Sequence, residues 1–291
     1  MEESFLPTSE LLTHLRSWEG RCETQHDEIT AAPMRNLSAT LDRDDPAPAP
    51  GTELPPLWHW LYFLPNVQQS AIAPDGHARK GTFLPPIPLP RRMWAGGRLE
   101  WHRPLRLGEA VRRTSRITSV TYKQGSTGAL FFVLVKHELF NEQGLALTEE
   151  HDIVYRSATT ASGSAAVPRK SPSSSAWSRE IVPDDVLLFR YSALTFNGHR
   201  IHYDRRYAQD VEGYPGLIVH GPLIATLLVD LVRRNCPQAK LRSFSFKALR
   251  PTFDLHPFFI HGLPETNGAT IKLWAHGHEG WLTMEAEARL A

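Results

Sequence analysis

The chain has 291 residues, of which 41% are hydrophobic and 22% are charged. This composition is typical of a folded globular protein and excludes a disordered chain. Because 32 Lys and Arg residues nearly balance 31 Asp and Glu residues, it also excludes a general nucleic-acid-binding protein, which would be strongly basic.

The first half opens with a predicted helix and ends with three predicted strands. The helix begins at the candidate N-cap Ser9 and ends at Gly20. Its apolar face is formed by Leu11, Leu12, Leu15 and Trp18. Many prolines between residues 44 and 90 predict a stretch that is mostly loop. β-branched and aromatic residues then predict strands at residues 112–120, 129–140 and 146–155.

A composition change divides the chain in the middle. Residues 157–178 read SATTASGSAAVPRKSPSSSAWS and contain almost no large apolar side chains. Such a segment buries too little surface to offset the entropy lost on ordering, so it is predicted to be a linker. The resulting domains, residues 1–156 and 179–291, both have an ordinary single-domain size.

The second half contains a predicted buried helix followed by strands. Eight of the ten residues at 223–232 are apolar, which indicates a helix that is buried on nearly all sides, and Pro222 suits its first turn. Alternating apolar and polar residues predict strands at residues 243–247 and 282–290. A sheet must curl around such a helix, which predicts an α+β fold and argues against an alternating nucleotide-binding fold.

The densest polar segment, FRYSALTFNGHRIHYDRRY at residues 189–207, precedes this helix. A second segment, YPGLIVHGP at residues 214–222, leads directly into it. A helix start presents unpaired N–H groups and the positive end of the helix dipole. His220 and Gly221 therefore form a candidate site for an oxyanion or for the carbonyl oxygen of a thioester.

These segments carry a family resemblance. YSALTFNGHRIHYD, followed by GLIVHGPL, resembles the type-2 enoyl-CoA hydratase (MaoC-like) hot-dog family. The similarity is to its two-repeat branch, which contains mesaconyl-C4-CoA and itaconyl-CoA hydratases and the fungal mitochondrial hydroxyacyl-thioester dehydratase. LPRRMWAGGRLEWHRPL, from residue 89, resembles the non-catalytic first repeat of that branch. The resemblance implies a double hot-dog: two repeats, each an antiparallel sheet curled around a central helix, with the first repeat lining the pocket.

The resemblance also assigns catalytic roles. In the related motif, G-D-x-N-P-x-H, an aspartate and a histidine hold the water that adds across an α,β-unsaturated thioester. The histidine corresponds to His202 and the aspartate to Asn197, whose amide cannot exchange a proton at neutral pH. His202 is then expected to do the acid/base work, alone or with a neighbour, while Asn197 orients the water. The N–H of Gly221 is expected to stabilise the enolate-like oxygen.

The remaining candidates would bind the substrate. Arginine grips carboxylates and phosphates at two points, so we expect contacts to a substrate carboxylate or to CoA phosphates. The candidate substrate-binding residues are Arg91, Arg92, Trp94, His199, Arg200, Arg205 and His220. No carboxylate or Cys lies at ligand spacing from His199 and His202 in the sequence, so no metal is expected. The hydration that the resemblance implies requires no other cofactor.

Three functions remain open at this point. The first is reversible hydration of a short branched dicarboxylyl-CoA, namely mesaconyl-C4-CoA or itaconyl-CoA, giving citramalyl-CoA. The second is a (3R)-hydroxyacyl-thioester dehydratase of fatty-acid synthesis. The third is an acyl-thioester binding module or a thioesterase, because a fold does not fix a function. In each case the partner is an acyl thioester, and two repeats in one chain imply a monomeric pseudo-dimer or a homodimer.

The cysteines and the N-terminus suggest a compartment. Cys22 and Cys236 lie far apart, form no disulfide framework and favour a reducing environment. The first residues lack a secretory signal, and no run of about 18 apolar residues could span a membrane. We therefore expect a cytoplasmic protein without membrane or nucleic-acid partners, or a mitochondrial one if the source is eukaryotic.

Overall fold

The computed structural model describes residues 5–125, 128–157, 168–266 and 268–291, which form ten strands and five α-helices. The elements of the first half are α1 (Ser9–Arg16), β1 (Cys22–Glu28), α2 (Ala31–Thr40), β2 (Arg91–Trp101), β3 (Ala110–Gly125), β4 (Gly128–Asn141) and β5 (Gly144–Arg156). Two short 3₁₀ helices, Trp58–Leu61 and Gln69–Ala71, interrupt the proline-rich stretch.

The second half has the same overall plan with more helices. Its elements are β6 (Trp177–Ile181), α3 (Asp185–Leu194), a 3₁₀ helix (Arg200–His202), α4 (Arg205–Asp210), α5 (Gly221–Asn235), β7 (Leu241–Ala248), β8 (Phe258–Pro264), β9 (Thr270–Gly277) and β10 (Leu282–Leu290).

All ten strands belong to one antiparallel sheet with the order β1-β3-β4-β5-β2-β7-β10-β9-β8-β6. Each half therefore places its first strand at the outer edge and its second strand at the centre. The two central strands, β2 and β7, pair between residues 96–100 and 243–247 and join the halves. This repeated topology confirms the predicted α+β double hot-dog fold.

Two glycines in β2 allow the halves to approach closely. A Cβ atom on Gly96 would lie 2.6 Å from the Phe246 carbonyl oxygen, and one on Gly97 would lie 2.9 Å from the Phe246 ring. Because real Cβ atoms do not approach other atoms so closely, any larger residue here would push β7 away.

Helix α5 fills the centre of the second half. Every residue from 223 to 232 is buried, and the helix packs against β6, β8, β9 and β10. Pro222 lies in the first turn. The structure thus confirms the prediction of a helix buried on nearly all sides.

A buried charge cluster ties α5 to the first half. Asp230 is only 1% exposed. Its carboxylate pairs with Arg43 at 2.7 Å, with Arg234 at 2.6 Å and with Arg179 at 3.2 Å. Several cations are needed to offset the cost of burying a carboxylate, and Arg43, from the segment after α2, supplies one of them.

The predicted elements are largely present, with shifted ends. Strands β3, β4, β5, β7 and β10 cover the predicted stretches. Helix α1 is capped by Thr8, not by Ser9, because the Thr8 hydroxyl accepts a hydrogen bond from the Leu11 N–H at 3.2 Å. The helix ends at Arg16, so Trp18 lies beyond it.

Strand β1 and helix α2 were not predicted, and β6 starts inside the predicted linker. Residues 158–167 of that linker lie outside the described residues. The domain boundaries stay a prediction. Within the part of the chain that the structure describes, none of the helices has the length and apolarity needed to cross a bilayer.

Candidate active site

The polar motif forms a tight turn after α3. Phe196 has a left-handed φ of 48°, a conformation that residues with a Cβ adopt mainly where the surroundings enforce it. The Asn197 N–H donates to the Ser192 carbonyl, and the Asn197 Oδ1 accepts from the His199 N–H at 3.0 Å. One lone pair of the Asn197 amide oxygen is therefore occupied by a hydrogen bond within the turn. The residue also lines a cavity.

His202 follows this turn in a defined tautomer. Its Nδ1 lies 2.7 Å from the Ile218 carbonyl oxygen, which can only accept, so Nδ1 carries the proton and Nε2 has a free lone pair. The residue is 8% exposed, and burial lowers its pKa to about 4. At neutral pH His202 is therefore an uncharged base.

His220 supports His202 from the start of α5. The two rings stack with their centroids 3.8 Å apart, and the His220 Nε2 lies 2.8 Å from the Ser192 hydroxyl. Burial holds the pKa of His220 well below its ordinary value. His202 is thus stacked against the N-cap residue of the central helix.

The helix start itself is open on one side. Among the described residues, no protein acceptor receives the Gly221 N–H. The nearest atom to a Cβ built on Gly221 is the Trp94 carbonyl oxygen, at 4.0 Å. The adjacent Pro222 lines the cavity. An oxygen in this part of the cavity could accept from the positive end of the α5 dipole.

The cavity lies between loops of the first half and the α3 region of the second half, and its volume is about 1160 Å³. Among the described residues that line it, Glu23 is the sole carboxylate, against five permanent cations. These cations are Arg79, Lys80, Arg92, Arg113 and Arg200. The cavity is therefore suited to an anionic ligand.

A loop from the first half, residues 71–79, covers the motif; we call it the covering loop. The Arg200 N–H donates to the Asp75 carbonyl at 2.9 Å, and the Arg200 guanidinium donates to the Pro74 carbonyl at 3.0 Å. Gly76 has φ +91°, and a Cβ there would lie 1.7 Å from the Gly198 carbonyl oxygen. The two loops therefore touch backbone to backbone.

The covering loop adds the imidazole of His77 to those of the motif and of His220. The His77 Nδ1 lies 2.9 Å from Asp75 Oδ2, and the His77 and His199 ring centroids are 3.9 Å apart. Donor atoms of Asp75, His77 and His199 all lie within 4.8 Å of one another, so these three residues could also hold a cation. Sequence reasoning missed this cluster, although the Pro-Asp-Gly turn signal at residues 74–76 precedes the histidine directly.

A buried network fixes the aromatic wall of the cavity. Glu149, 2% exposed, accepts hydrogen bonds from Trp60 Nε1 at 2.8 Å, His59 Nε2 at 2.9 Å and His151 Nε2 at 2.6 Å. The Trp60 ring meets the Trp94 ring edge to face at 5.0 Å. Both indoles line the cavity, so the Glu149 carboxylate holds this wall in place.

Most of the sequence-predicted site residues do come together. Arg92, Trp94, Asn197 and Arg200 line the cavity, and Gly221 directly precedes the lining residue Pro222. The rings of His199 and His220 contact the lining residues His77 and Tyr191. The His202 ring contacts the rings of His199 and His220. His202 itself is not among the described residues that line the cavity, and its ring meets the His199 ring edge to face at 5.4 Å.

Two predicted substrate-binding arginines do not reach the cavity. Arg205 pairs with Asp185 and Asp254, and these carboxylates hold its guanidinium at the start of α4. Arg91 donates to the Glu212 carbonyl at 2.7 Å and lies over the Tyr214 ring. Both side chains connect structural elements, and their role in binding substrate stays a prediction.

Comparisons with known proteins agree with this geometry. The chain is 46% identical over 274 residues to the mesaconyl-C(4)-CoA hydratase of Chloroflexus aurantiacus, covering 94% of this chain and 97% of that protein. It is 29% identical over 264 residues to the mitochondrial hydroxyacyl-thioester dehydratase type 2 of Schizosaccharomyces pombe, covering 80% and 87%.

The fold is also similar to that of a solved structure. A solved MaoC-like dehydratase superposes with a TM-score of 0.69 at 12% identity, over 94% of this chain and 98% of that one. Residues 57–254 match the family described as hydroxyacyl-thioester dehydratase type 2. This match includes the covering loop, the motif and the start of α5. The chain therefore belongs to the hydroxyacyl-thioester dehydratase type 2 family.

Proposed function

We propose that the protein is a hydro-lyase that reversibly hydrates a short, branched dicarboxylyl-CoA, with mesaconyl-C4-CoA as substrate and citramalyl-CoA as product. The observation that carries this proposal is the neutral imidazole of His202, whose Nε2 lone pair is free to take a proton and whose ring is stacked on His220, the N-cap residue of α5. The hydratase named for this substrate, at 46% identity over nearly the full length, supports the choice of acyl group. Itaconyl-CoA is the second substrate of the same class.

The site residues can account for the whole reaction. The oxygen of a water molecule bonds to the β-carbon while His202 Nε2 takes one of its protons. The electron pair of the double bond moves toward the thioester, whose oxygen becomes enolate-like and can accept from the Gly221 N–H. The proton held by His202 then passes to the α-carbon. One water is added, and the reaction needs no oxidant or reductant.

The charge of the cavity supports a dicarboxylyl-CoA. CoA brings phosphates, and the acyl group adds a second carboxylate. Arg92 lines the cavity, and among the described residues it forms no ion pair with a carboxylate. Because guanidinium groups bind carboxylates at two points, Arg92 is our candidate for the distal carboxylate.

The test is a comparison of substrates. Purified protein is given mesaconyl-C4-CoA, itaconyl-CoA and crotonyl-CoA, and the loss of enoyl-thioester absorbance gives kcat/KM for each. We expect the dicarboxylyl thioesters to react faster than crotonyl-CoA. Faster turnover of crotonyl-CoA or of longer acyl chains would overturn this substrate assignment.

The second candidate is a (3R)-hydroxyacyl-thioester dehydratase. It is favoured by the Schizosaccharomyces pombe relative and by apolar cavity residues such as Phe63, Phe83 and Leu84. Faster reaction of long acyl chains would select it. Release of free CoA thiol, detected with a thiol reagent, would instead indicate a thioesterase.

The catalytic assignment is tested separately. We expect His202→Ala to lower kcat by roughly 10²- to 10⁴-fold, the usual effect of removing a general acid/base. His102→Ala is the matched control, because His102 is exposed and bonds Thr148 on the sheet surface. Near-normal activity of His202→Ala would remove this residue from the mechanism. The cytoplasmic location and the monomeric or homodimeric state stay predictions.

A further inference from the structure

We propose that His77, oriented by Asp75, is a second catalytic residue of the hydration. Its Nε2 accepts a hydrogen bond from the attacking water, the role that an aspartate has in the related motif. The corresponding oxygen of Asn197 already accepts the His199 N–H within the turn. This inference rests on the proposed function. It places one of the two groups that hold the water in the first half of the chain and the other in the second.

The carboxylate of Asp75 defines the tautomer of His77. Asp75 Oδ1 accepts the His77 backbone N–H at 3.0 Å, and Oδ2 accepts the ring Nδ1–H at 2.9 Å. Both oxygens of the carboxylate are therefore used to hold one residue. The ring is left with an Nε2 lone pair that can accept a proton or a hydrogen bond, as in other carboxylate–imidazole pairs.

The position of His77 matches the role. His77 lines the cavity together with Asn197 and Pro222, and its side chain is 25% exposed. His202, by contrast, is 8% exposed and is not among the described residues that line the cavity. The three rings follow one another, with centroids 3.9 Å apart from His77 to His199 and 5.4 Å apart from His199 to His202.

The covering loop keeps the imidazole in this position. Arg200, within the motif itself, holds the carbonyls of Pro74 and Asp75. Gly76 packs against Gly198. The loop therefore cannot move away from the motif without breaking bonds to the residues that precede His202.

The hydrogen bond to Asp75 decides how His77 can act on the water. With the proton on Nδ1, the Nε2 of the neutral ring accepts. The water can then place one hydrogen on His202, which takes it as a proton, and the other on His77, which only accepts a hydrogen bond. The proton count of the hydration is unchanged, because the proton taken by His202 passes to the α-carbon.

The central experiment uses the full-length protein and His77→Ala, with His77→Gln as the variant that keeps the volume. We expect kcat for hydration to fall by about 10²-fold, within the usual range for an acid/base group, while KM stays nearly constant. Added imidazole should restore part of the activity of His77→Ala, since the side chain faces a cavity. A merely structural histidine would not be rescued in this way.

Asp75→Asn tests whether the Asp75 carboxylate fixes the tautomer of His77. Because Oδ1 is held by the His77 N–H, the new amide nitrogen faces Nδ1 and forces the proton onto Nε2, which can no longer accept. We expect kcat to fall by roughly 10²-fold or more without a change in the thermal midpoint greater than that of His102→Ala.

The outcomes are distinguishable. If wild-type protein hydrates an enoyl-CoA but His77→Ala, His77→Gln and Asp75→Asn keep near-normal kcat, this inference fails and the proposed function stands. If wild-type protein hydrates none of the thioesters, the proposed function itself fails. If EDTA abolishes the activity and a divalent cation restores it, Asp75, His77 and His199 bind a metal, and the hydrogen-bonding role is overturned.

Discussion

Replacing Gly76 by alanine tests the contact between the two halves at the site. Gly76 has φ +91°, and its new Cβ would lie 1.7 Å from the Gly198 carbonyl oxygen. Gly108 has the same φ of +91° with no atom within 4 Å of its Cβ position. Gly108→Ala therefore measures the cost of a left-handed alanine alone, about 1–2 kcal/mol.

Gly76→Ala should cost more, because the loop must also move. The contact cannot be relieved by a rotamer change, since both partners are backbone. Displacing the covering loop breaks the two hydrogen bonds from Arg200 to Asp75 and Pro74, each worth about 0.5–1.5 kcal/mol. Added to the conformational cost, the free energy of unfolding should fall by about 2–5 kcal/mol.

The assay combines urea unfolding with steady-state hydration. We expect Gly108→Ala to keep normal kcat and Gly76→Ala to lose most of it, because lifting the loop carries His77 away from His199. Equal unfolding free energies and equal kcat values for the two variants would show that the backbone contact neither stabilises the site nor positions it.

Three further predictions concern buried groups. Asp230→Ala removes the buried carboxylate that three arginines share, of which only Arg43 keeps a second carboxylate partner among the described residues, Asp45. It should lower the free energy of unfolding by about 3–5 kcal/mol, whereas the exposed Asp210→Ala should change it by less than about 0.5 kcal/mol. Glu149→Gln should weaken binding of the acyl-CoA, measured as a raised KM, because Trp60 loses its charged acceptor. The folded-state pKa of His202, about 4, is below its unfolded value, so its stability contribution is present above about pH 6.5 and is lost as pH falls toward 4. That loss amounts to about 3 kcal/mol, and urea unfolding of His202→Gln should depend less on pH across this window.

The sequence predicts best where one physical pattern dominates. The apolar run in α5 and the alternating pattern in β10 each fit only one arrangement of buried side chains, because a one-residue shift would expose those side chains. β1 was missed because its sequence, CETQHDE, has no apolar face. It forms a strand through pairing with β3 at the sheet edge, where polar residues are tolerated and discourage further strand pairing.

The site was only half predictable for a related reason. His202, Asn197 and Gly221 lie within 25 residues of one another and carry a motif. His77 lies more than 100 residues away, in a stretch that the prolines mark as loop, and nothing in the sequence alone indicates which surface a loop will cover. Arg91 and Arg205 were assigned to substrate because arginine binds anions, and the structure supplies those anions from Glu212, Asp185 and Asp254.

The shared strand order of the two halves has a genetic consequence. In a pair of identical subunits, every substitution appears twice, once on each side of the symmetry axis. In this chain each half has its own codons, so the half that carries His202 and the half that carries the covering loop can change independently. One half of this chain can therefore specialise in proton chemistry and the other in enclosing the ligand. A symmetric pair of identical subunits cannot divide these roles.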